Sequence, residues 1–321
     1  MSPFTKKTFI ADIAAGDHID DLFVLADKTL SHKRDGNAYL TVTLADKSGR
    51  IKGMVWDNVD AISGAANAGD YVIVSGSVSE YRGKLQMVVK SMSAQPPDMV
   101  TAADFLPATN RDVDQMFAKL QSLCATMENP SLKTLLEAFW TDQEFVRRFK
   151  QAPAAKKMHH AYLGGLLQHT LSMALLADKI SVHYSGLNRD LLLAGAVLHD
   201  IGKVRELTYD QHIDYTDEGR LLSHIIIGLE MVDEKIRTIP GFPQTDAALV
   251  KHLIVSHHGA REFGSPEPPK TIEAVLLNYI DEIDSRVNAI REFMAAEDPD
   301  AAWTGYHRLL ERHFYRGEPG Q

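Results

Sequence analysis

The 321-residue sequence predicts an all-β barrel followed by an all-α helical domain, and three observations carry that prediction. Residues 1–95 hold short β-branched and aromatic runs of period two, separated by glycine turns. Residues 96–112, rich in Pro, Ala and Asp, follow neither strand nor helix period, as a linker should. From residue 113 to 321 apolar positions recur every three and four residues, the spacing of helices packed on one face.

Composition narrows the function classes. With 45% hydrophobic and 24% charged residues the chain is globular, which excludes disordered and collagen-like readings. A single cysteine, Cys124, excludes an internal disulfide and a thiolate metal cluster; it lies in an apolar helical run and reads as core. No apolar run approaches the roughly 18 residues of a membrane span, and the N-terminus lacks the apolar stretch of an export signal, so a cytoplasmic protein with no membrane partner is expected. The 34 basic and 43 acidic side chains give a net charge of −9, so a polyanionic partner has to be held by local basic patches or by bound cations.

Five strands follow from the runs FVLADKTL, AYLTVTLAD, RIKGMVWD, DYVIVSGSVSEY and KLQMVVKSM, with turns at Asp35-Gly36, Ser48-Gly49 and Arg82-Gly83. The insert VDAISGAANAG after the third strand suits a short helix. Five antiparallel strands with such an insert suggest a small closed barrel of the OB type. The pattern D-G-x-x-Y-L-x-V-x-L-x-D with the later Y-x-G-x-L-Q-M hairpin resembles nucleic-acid-binding OB modules. Tyr39, Trp56 and Tyr81 offer stacking faces, and Lys33, Arg34, Arg50, Lys52, Arg82 and Lys84 offer charge for a single-strand backbone. Aromatics in small barrels are more often core, so the Arg82-Gly83-Lys84 tip is the stronger contact.

The helical half places ligand-type side chains on apolar faces. Tyr162, Leu166, His169, Met173 and Leu176 step by three and four, so His169 points inward. Leu192, Ala196 and His199 share a face, with Asp200 beside them. Leu221, His224, Gly228 and Met231 form another stripe, Val250, Leu253, Ile254 and His257 a fourth, and Ala274, Leu277, Asp281 and Asp284 a fifth. Any one such histidine is more often a satisfied core residue. Together, several buried imidazoles and carboxylates would cost several kcal/mol unless a divalent cation satisfied them. Six candidate ligands (His169, His199, Asp200, His224, His257, Asp281) exceed one tetrahedral site, so two cations about 3.5 to 4 Å apart and bridged by Asp200 are expected. Imidazole with carboxylate suits Mn, Fe, Co or Zn. The motifs G-x-x-x-x-G-K-[ST], H-E-x-x-H and G-x-S-x-G are absent.

His169, the doublet His199-Asp200 and Asp281 match the H…HD…D signature of the HD phosphohydrolase superfamily, and His224 and His257 sit where its binuclear members carry two further ligands. With the OB module, the chain resembles the YhaM-type 3′-to-5′ exoribonuclease family over nearly its full length. The segments KKMHHAYLGGLLQHT and YIDEIDSR and the aromatic tail from Trp303 share that resemblance. It implies hydrolysis of single-stranded RNA from the 3′ end to nucleoside 5′-monophosphates, two divalent ions with Mn2+ foremost, and a hydroxide nucleophile activated by the pair. Single-stranded DNA stays open as a second substrate. Asp200 would bridge and orient, and Lys203 would neutralise charge on the phosphoryl oxygens. His159, His160 and His258 are placed where they could touch substrate; His159 and His160 read equally as capping or surface residues. Two alternatives remain: a nucleotide or cyclic-nucleotide phosphohydrolase, and a non-catalytic nucleic-acid-binding protein.

Overall fold

In the computed structural model, residues 4–32, 36–81, 83–101, 104–156, 160–209, 212–298 and 301–317 are described, and they divide into two compact units. The first unit is a closed five-stranded barrel of strand order β1-β2-β3-β5-β4. Its strands are β1 (His18–His32), β2 (Ala38–Asp46), β3 (Gly49–Val55), β4 (Tyr71–Tyr81) and β5 (Lys84–Gln95). The long β1 serves two neighbours. His18–Val24 pairs with β4, Val24–His32 pairs with β2, and a register shift between Leu25 and Asp27 bends the strand from one to the other. A parallel pairing of Lys52–Met54 on β3 with Gln86–Val88 on β5 closes the ring. The insert forms the short helix α1 (Val59–Gly64) between β3 and β4.

Period-two alternation fills the barrel. Leu40, Val42 and Leu44 of β2 point inward onto Phe23, Leu25, Val55, Val72, Val74 and Met87, all fully buried. At Gly76 the β4–β5 register shifts, and a Cβ there would lie 2.4 Å from the Val88 carbonyl oxygen, so only glycine admits that close approach. One end of the barrel is closed by a buried ion cluster. The Lys6 ammonium donates to the Leu22 carbonyl at 2.7 Å, lies 3.3 Å from Asp46 and 3.8 Å from Asp21, and covers the Phe23 ring at 3.7 Å. Burial pulls the Lys6 pKa down, while Asp21 and Asp46 oppose that shift.

The second unit is helical. Its elements are α2 (Val113–Ala125), α3 (Pro130–Trp140), α4 (Gln143–Gln151), α5 (Gly165–His183), α6 (Arg189–Leu198), α7 (Lys203–Glu206), α8 (Asp217–Arg237), α9 (Gln244–Ser256) and α10 (Ile272–Ala296). Side-chain oxygens of Asp112, Asn129, Asp142, Asn188, Thr216 and Thr271 accept from first-turn amides and fix where these helices begin. Helix α6 lies at the centre, packed against α5, α9 and α10, which is why its LLLAGAVL run is apolar on every side.

Three local expectations are corrected. Tyr162 precedes α5, because Gly164 takes a left-handed conformation (φ 78°) at the helix cap. Leu221 is 82% exposed and does not share the His224 face, because α8 is kinked at Ser223 (φ 61°, ψ 161°). The run from Ala302 to Tyr315 is not helical: Trp303 pairs antiparallel with Tyr315 and His307 with Arg312, and Glu311 turns with φ 52°.

Candidate metal centre and barrel groove

The HD doublet sits just past the end of α6. His199 caps that helix, and its Nδ1 lies 3.1 Å from the Ala196 carbonyl three residues back. His257 caps α9 in the same way, with Nδ1 2.7 Å from the Ile254 carbonyl. Each ring thus satisfies one of the carbonyls a helix C-terminus leaves unpaired, and this fixes the tautomer whose Nε2 lone pair faces away from the helix. His169 reaches the same end with a carboxylate partner: its Nδ1 is 2.8 Å from Asp284 Oδ2. His224 does so with Glu206, which lies 3.0 Å from Nδ1 and accepts the His224 backbone N–H at 2.9 Å. That backbone N–H directly follows the Ser223 kink, so one carboxylate serves both the bend and the ring.

Gly202 makes the kinked α8 fit. A Cβ there would lie 2.0 Å from the His224 carbonyl oxygen and 2.7 Å from the Gly228 nitrogen. The glycine after the HD doublet therefore brings His224 to Asp200.

Four oriented Nε2 atoms meet the two oxygens of one carboxylate. Around Asp200 Oδ2 lie His199 Nε2 at 3.4 Å and His169 Nε2 at 3.6 Å; His169 Nε2 is in turn 3.2 Å from His199 Nε2 and 3.4 Å from Asp281 Oδ1. Around Asp200 Oδ1 lie His224 Nε2 at 3.5 Å and His257 Nε2 at 3.7 Å. Asp200 Oδ1, His224 Nε2, His257 Nε2 and His258 Nδ1 are buried without a hydrogen-bond partner. Each such orphan costs about 1 to 3 kcal/mol if nothing binds it. Ligand atoms about 2.0 to 2.2 Å from a shared divalent ion stand roughly 3 to 3.5 Å apart, so the donor set fits divalent metal.

The electrostatics at Asp200 and His257 agree with that fit. Burial pushes the Asp200 carboxyl up, but Lys203 and His199 hold it well below the usual carboxylate range. Burial, with His199 and His258 beside it, keeps His257 well below the usual imidazole range and hence neutral, the state a ligand needs. Lys203 is not a free helix-end cation: its Nζ lies 2.6 Å from Asp200 Oδ2, and its side chain is 18% exposed. Burial works against the Lys203 charge, yet Asp200 raises its pKa overall.

The remaining candidates are placed as follows. His258 groups with His224 and His257, their ligand atoms within 4.8 Å of one another. His160 is 1% exposed with its Nδ1 2.6 Å from the Tyr162 hydroxyl and its Nε2 3.2 Å from Asp284 Oδ2. It is engaged behind His169 and presents no free nitrogen to a substrate. His159 and Arg82 lie outside the described residues. Asp284 meets Nδ1 of His169, the opposite edge from Asp281, and Ser172 also donates to it. Sequence periodicity missed Glu206: it lies in a four-residue helix too short to show a face.

On the barrel, Arg50, Lys52, Met54, Trp56, Tyr81, Lys84, Leu85 and Gln86 line a groove of about 1000 Å³. Trp56 is 41% exposed and Tyr81 60% exposed, so these rings are not core. Tyr39 does not line the groove; it packs against Trp56 at 5.5 Å between ring centres.

Comparison with known proteins gives two family matches: an HD domain over residues 166–286 and an OB-fold nucleic acid binding domain over residues 25–94. A curated protein from Geobacillus sp. (strain WCH70), "3'-5' exoribonuclease YhaM", is 32% identical over 96% of this chain and 94% of its own length. Another of that name from Oceanobacillus iheyensis is 32% identical over 97% of both chains. Among solved structures, the second OB-fold domain of replication protein A from Methanococcus maripaludis is 20% identical, with a TM-score of 0.23, over 27% of this chain and 92% of that one. With a barrel and an HD-type helical unit in the same order, and identity sustained over nearly its whole length, the chain belongs to the YhaM family of 3′-5′ exoribonucleases.

Proposed function

We propose that this chain hydrolyses single-stranded RNA from the 3′ end, releasing nucleoside 5′-monophosphates, with two divalent cations held by its HD unit. The observation that carries this reading is the Asp200 carboxylate, whose two oxygens each face a separate group of imidazole nitrogens. His169, His199, Asp200 Oδ2 and Asp281 would hold one cation; Asp200 Oδ1, His224 and His257, with His258 alongside, would hold the other. When bound, such a pair acidifies a water toward neutrality and neutralises charge gathering on the phosphoryl oxygens. Asp284 and Glu206 keep His169 and His224 aimed, and His160 and Ser172 keep Asp284 in place. Lys203 keeps Asp200 ionised and adds positive charge beside the scissile phosphate. The imidazole and carboxylate set accommodates Mn2+, Fe, Co or Zn alike, and Mn2+ is put first on the family resemblance, not on the ligand chemistry.

The barrel supplies strand affinity through Trp56, Tyr81 and Lys84, with Arg50 and Lys52 beside them. Stacking and phosphate contacts of this kind tolerate many sequences and admit single-stranded DNA as well. A reduced, buried Cys124 and an RNA substrate suit the cytoplasm. Incubation with Mn2+ and 5′-end-labelled single-stranded RNA tests the reading. A ladder that shortens from the 3′ end is expected; intact RNA together with hydrolysed mononucleotides would instead assign the centre to a nucleotide phosphohydrolase.

A further inference from the structure

Beyond the HD helices, residues 301–317 fold into a small antiparallel turn that holds Trp303, Tyr306 and Tyr315 outward. The Thr304 amide donates to the Phe314 carbonyl at 2.9 Å, the Phe314 amide to Thr304 Oγ1 at 3.0 Å, the His307 amide to the Arg312 carbonyl at 2.9 Å and the Arg316 amide to the Ala302 carbonyl at 2.8 Å. One side of the turn is anchored on α10, where His307 meets Phe293 at 4.6 Å between ring centres and Gly305 N donates to Glu297 at 2.8 Å. Arg316 ties down the carbonyls of Glu297 and Asp298. The anchored residues Thr304 and His307 are buried.

The other side carries exposed rings in two adjacent pairs. Trp303 and Tyr315 stand 5.0 Å apart, 59% and 55% exposed, and Tyr306, 54% exposed, stands 5.4 Å from His313. Leaving three large rings more than half exposed forgoes much of the stabilisation that burying them would contribute. A fixed backbone holds these three rings outward while Thr304, His307 and Phe314 take the side facing α10. The local charge favours a polyanion: Arg308, Arg312 and Arg316 against Glu311 make residues 301–317 net positive on a chain of net charge −9, with Glu297 and Asp298 on the anchored side. Rigid rings interleaved with guanidinium groups are what unpaired bases on a phosphate backbone require.

We propose that this turn is a stacking platform for single-stranded RNA, separate from the barrel groove, that holds the strand beside the HD unit. The identity of the strand rests on the exoribonuclease reading; the platform itself rests on the exposed rings and their charge. Helix α10 joins platform and site, since Phe293 lies 12 residues beyond Asp281, about 18 Å along the helix axis.

The test uses the manganese-loaded full chain carrying Trp56→Phe and Trp140→Phe, which leaves Trp303 as the single indole. Titration with a hydrolysis-resistant phosphorothioate oligoadenylate is expected to quench Trp303 emission saturably. Adding Tyr315→Ala should weaken that binding about tenfold with unchanged thermal melting, and Tyr315→Phe should restore it, as one stacked base predicts. No quenching, or equal affinity in the Ala variant, overturns the proposal. A fall in molar mass on light scattering with RNA affinity unchanged also overturns it, by assigning the rings to a second copy of the chain. Quenching by RNA that the intact chain fails to shorten would sink the exonuclease reading and leave the platform standing.

Discussion

Asp200 is the residue through which the two groups of ligand atoms communicate, and its environment separates its role from its fold. Asp200→Asn keeps the shape but loses a charged oxygen at one cluster; hydrolysis of labelled RNA should fall at least about a thousandfold, while RNA affinity, measured by filter binding, stays close to wild type. Parallel loss of affinity would mean that binding and chemistry share this residue. Glu206 acts one step further out. Outer partners of metal-bound imidazoles typically contribute 10- to 100-fold in metal affinity, so Glu206→Gln should weaken loading of one of two Mn2+ ions by about that factor, read by calorimetric titration, with an unchanged circular dichroism spectrum. His169, His199, His224, His257 and Asp281 were legible because each interrupts an apolar stripe. Glu206 was not, because a carboxylate on a four-residue helix looks solvated until the partner from a distant helix is placed beside it; Asp284 lay on the apolar stripe, but its role in aiming His169 shows only once the Nδ1 edge of that ring is placed beside it.

Secondary-structure elements position these side chains through a few tight fits. In α8 the kink at Ser223 and the approach to Gly202 depend on each other, so Gly202→Ala, with its Cβ 2.0 Å from the His224 carbonyl, should push α8 away. A loss of about 2 kcal/mol or more in urea unfolding is expected, together with weakened Mn2+ loading. In the barrel, Lys6→Ala would remove the cation shared by Asp21 and Asp46, leaving them only their amide and hydroxyl donors; a loss of about 1 to 3 kcal/mol in urea unfolding is expected, and no loss would show that the cluster contributes nothing to stability. The five strands could be read from alternation and turns because each barrel strand has one buried face. The kink and the C-terminal turn could not. The first depends on a contact 18 residues away, between His224 and Glu206, and the second mimics helical spacing while Glu311, with its left-handed φ, turns the chain back.

Across the molecule, the proposed function divides the work, with strand affinity in the barrel and cleavage in the helical unit. Deleting residues 1–95 should therefore slow degradation of long RNA far more than hydrolysis of bis(p-nitrophenyl) phosphate, a diester with no strand to hold. Equal losses would contradict that division. The order of the two units was legible from the change of hydrophobic period near residue 113, whereas the meeting of five helices at one carboxylate depends on packing that no local window contains. The most direct measurement is manganese binding to the intact chain, counted by equilibrium dialysis and examined by electron paramagnetic resonance. Two ions per chain with an exchange-coupled spectrum, uncoupled by Asp200→Asn, is the predicted result. Fewer than one ion per chain, or a spectrum of isolated Mn2+ at full loading, would contradict it.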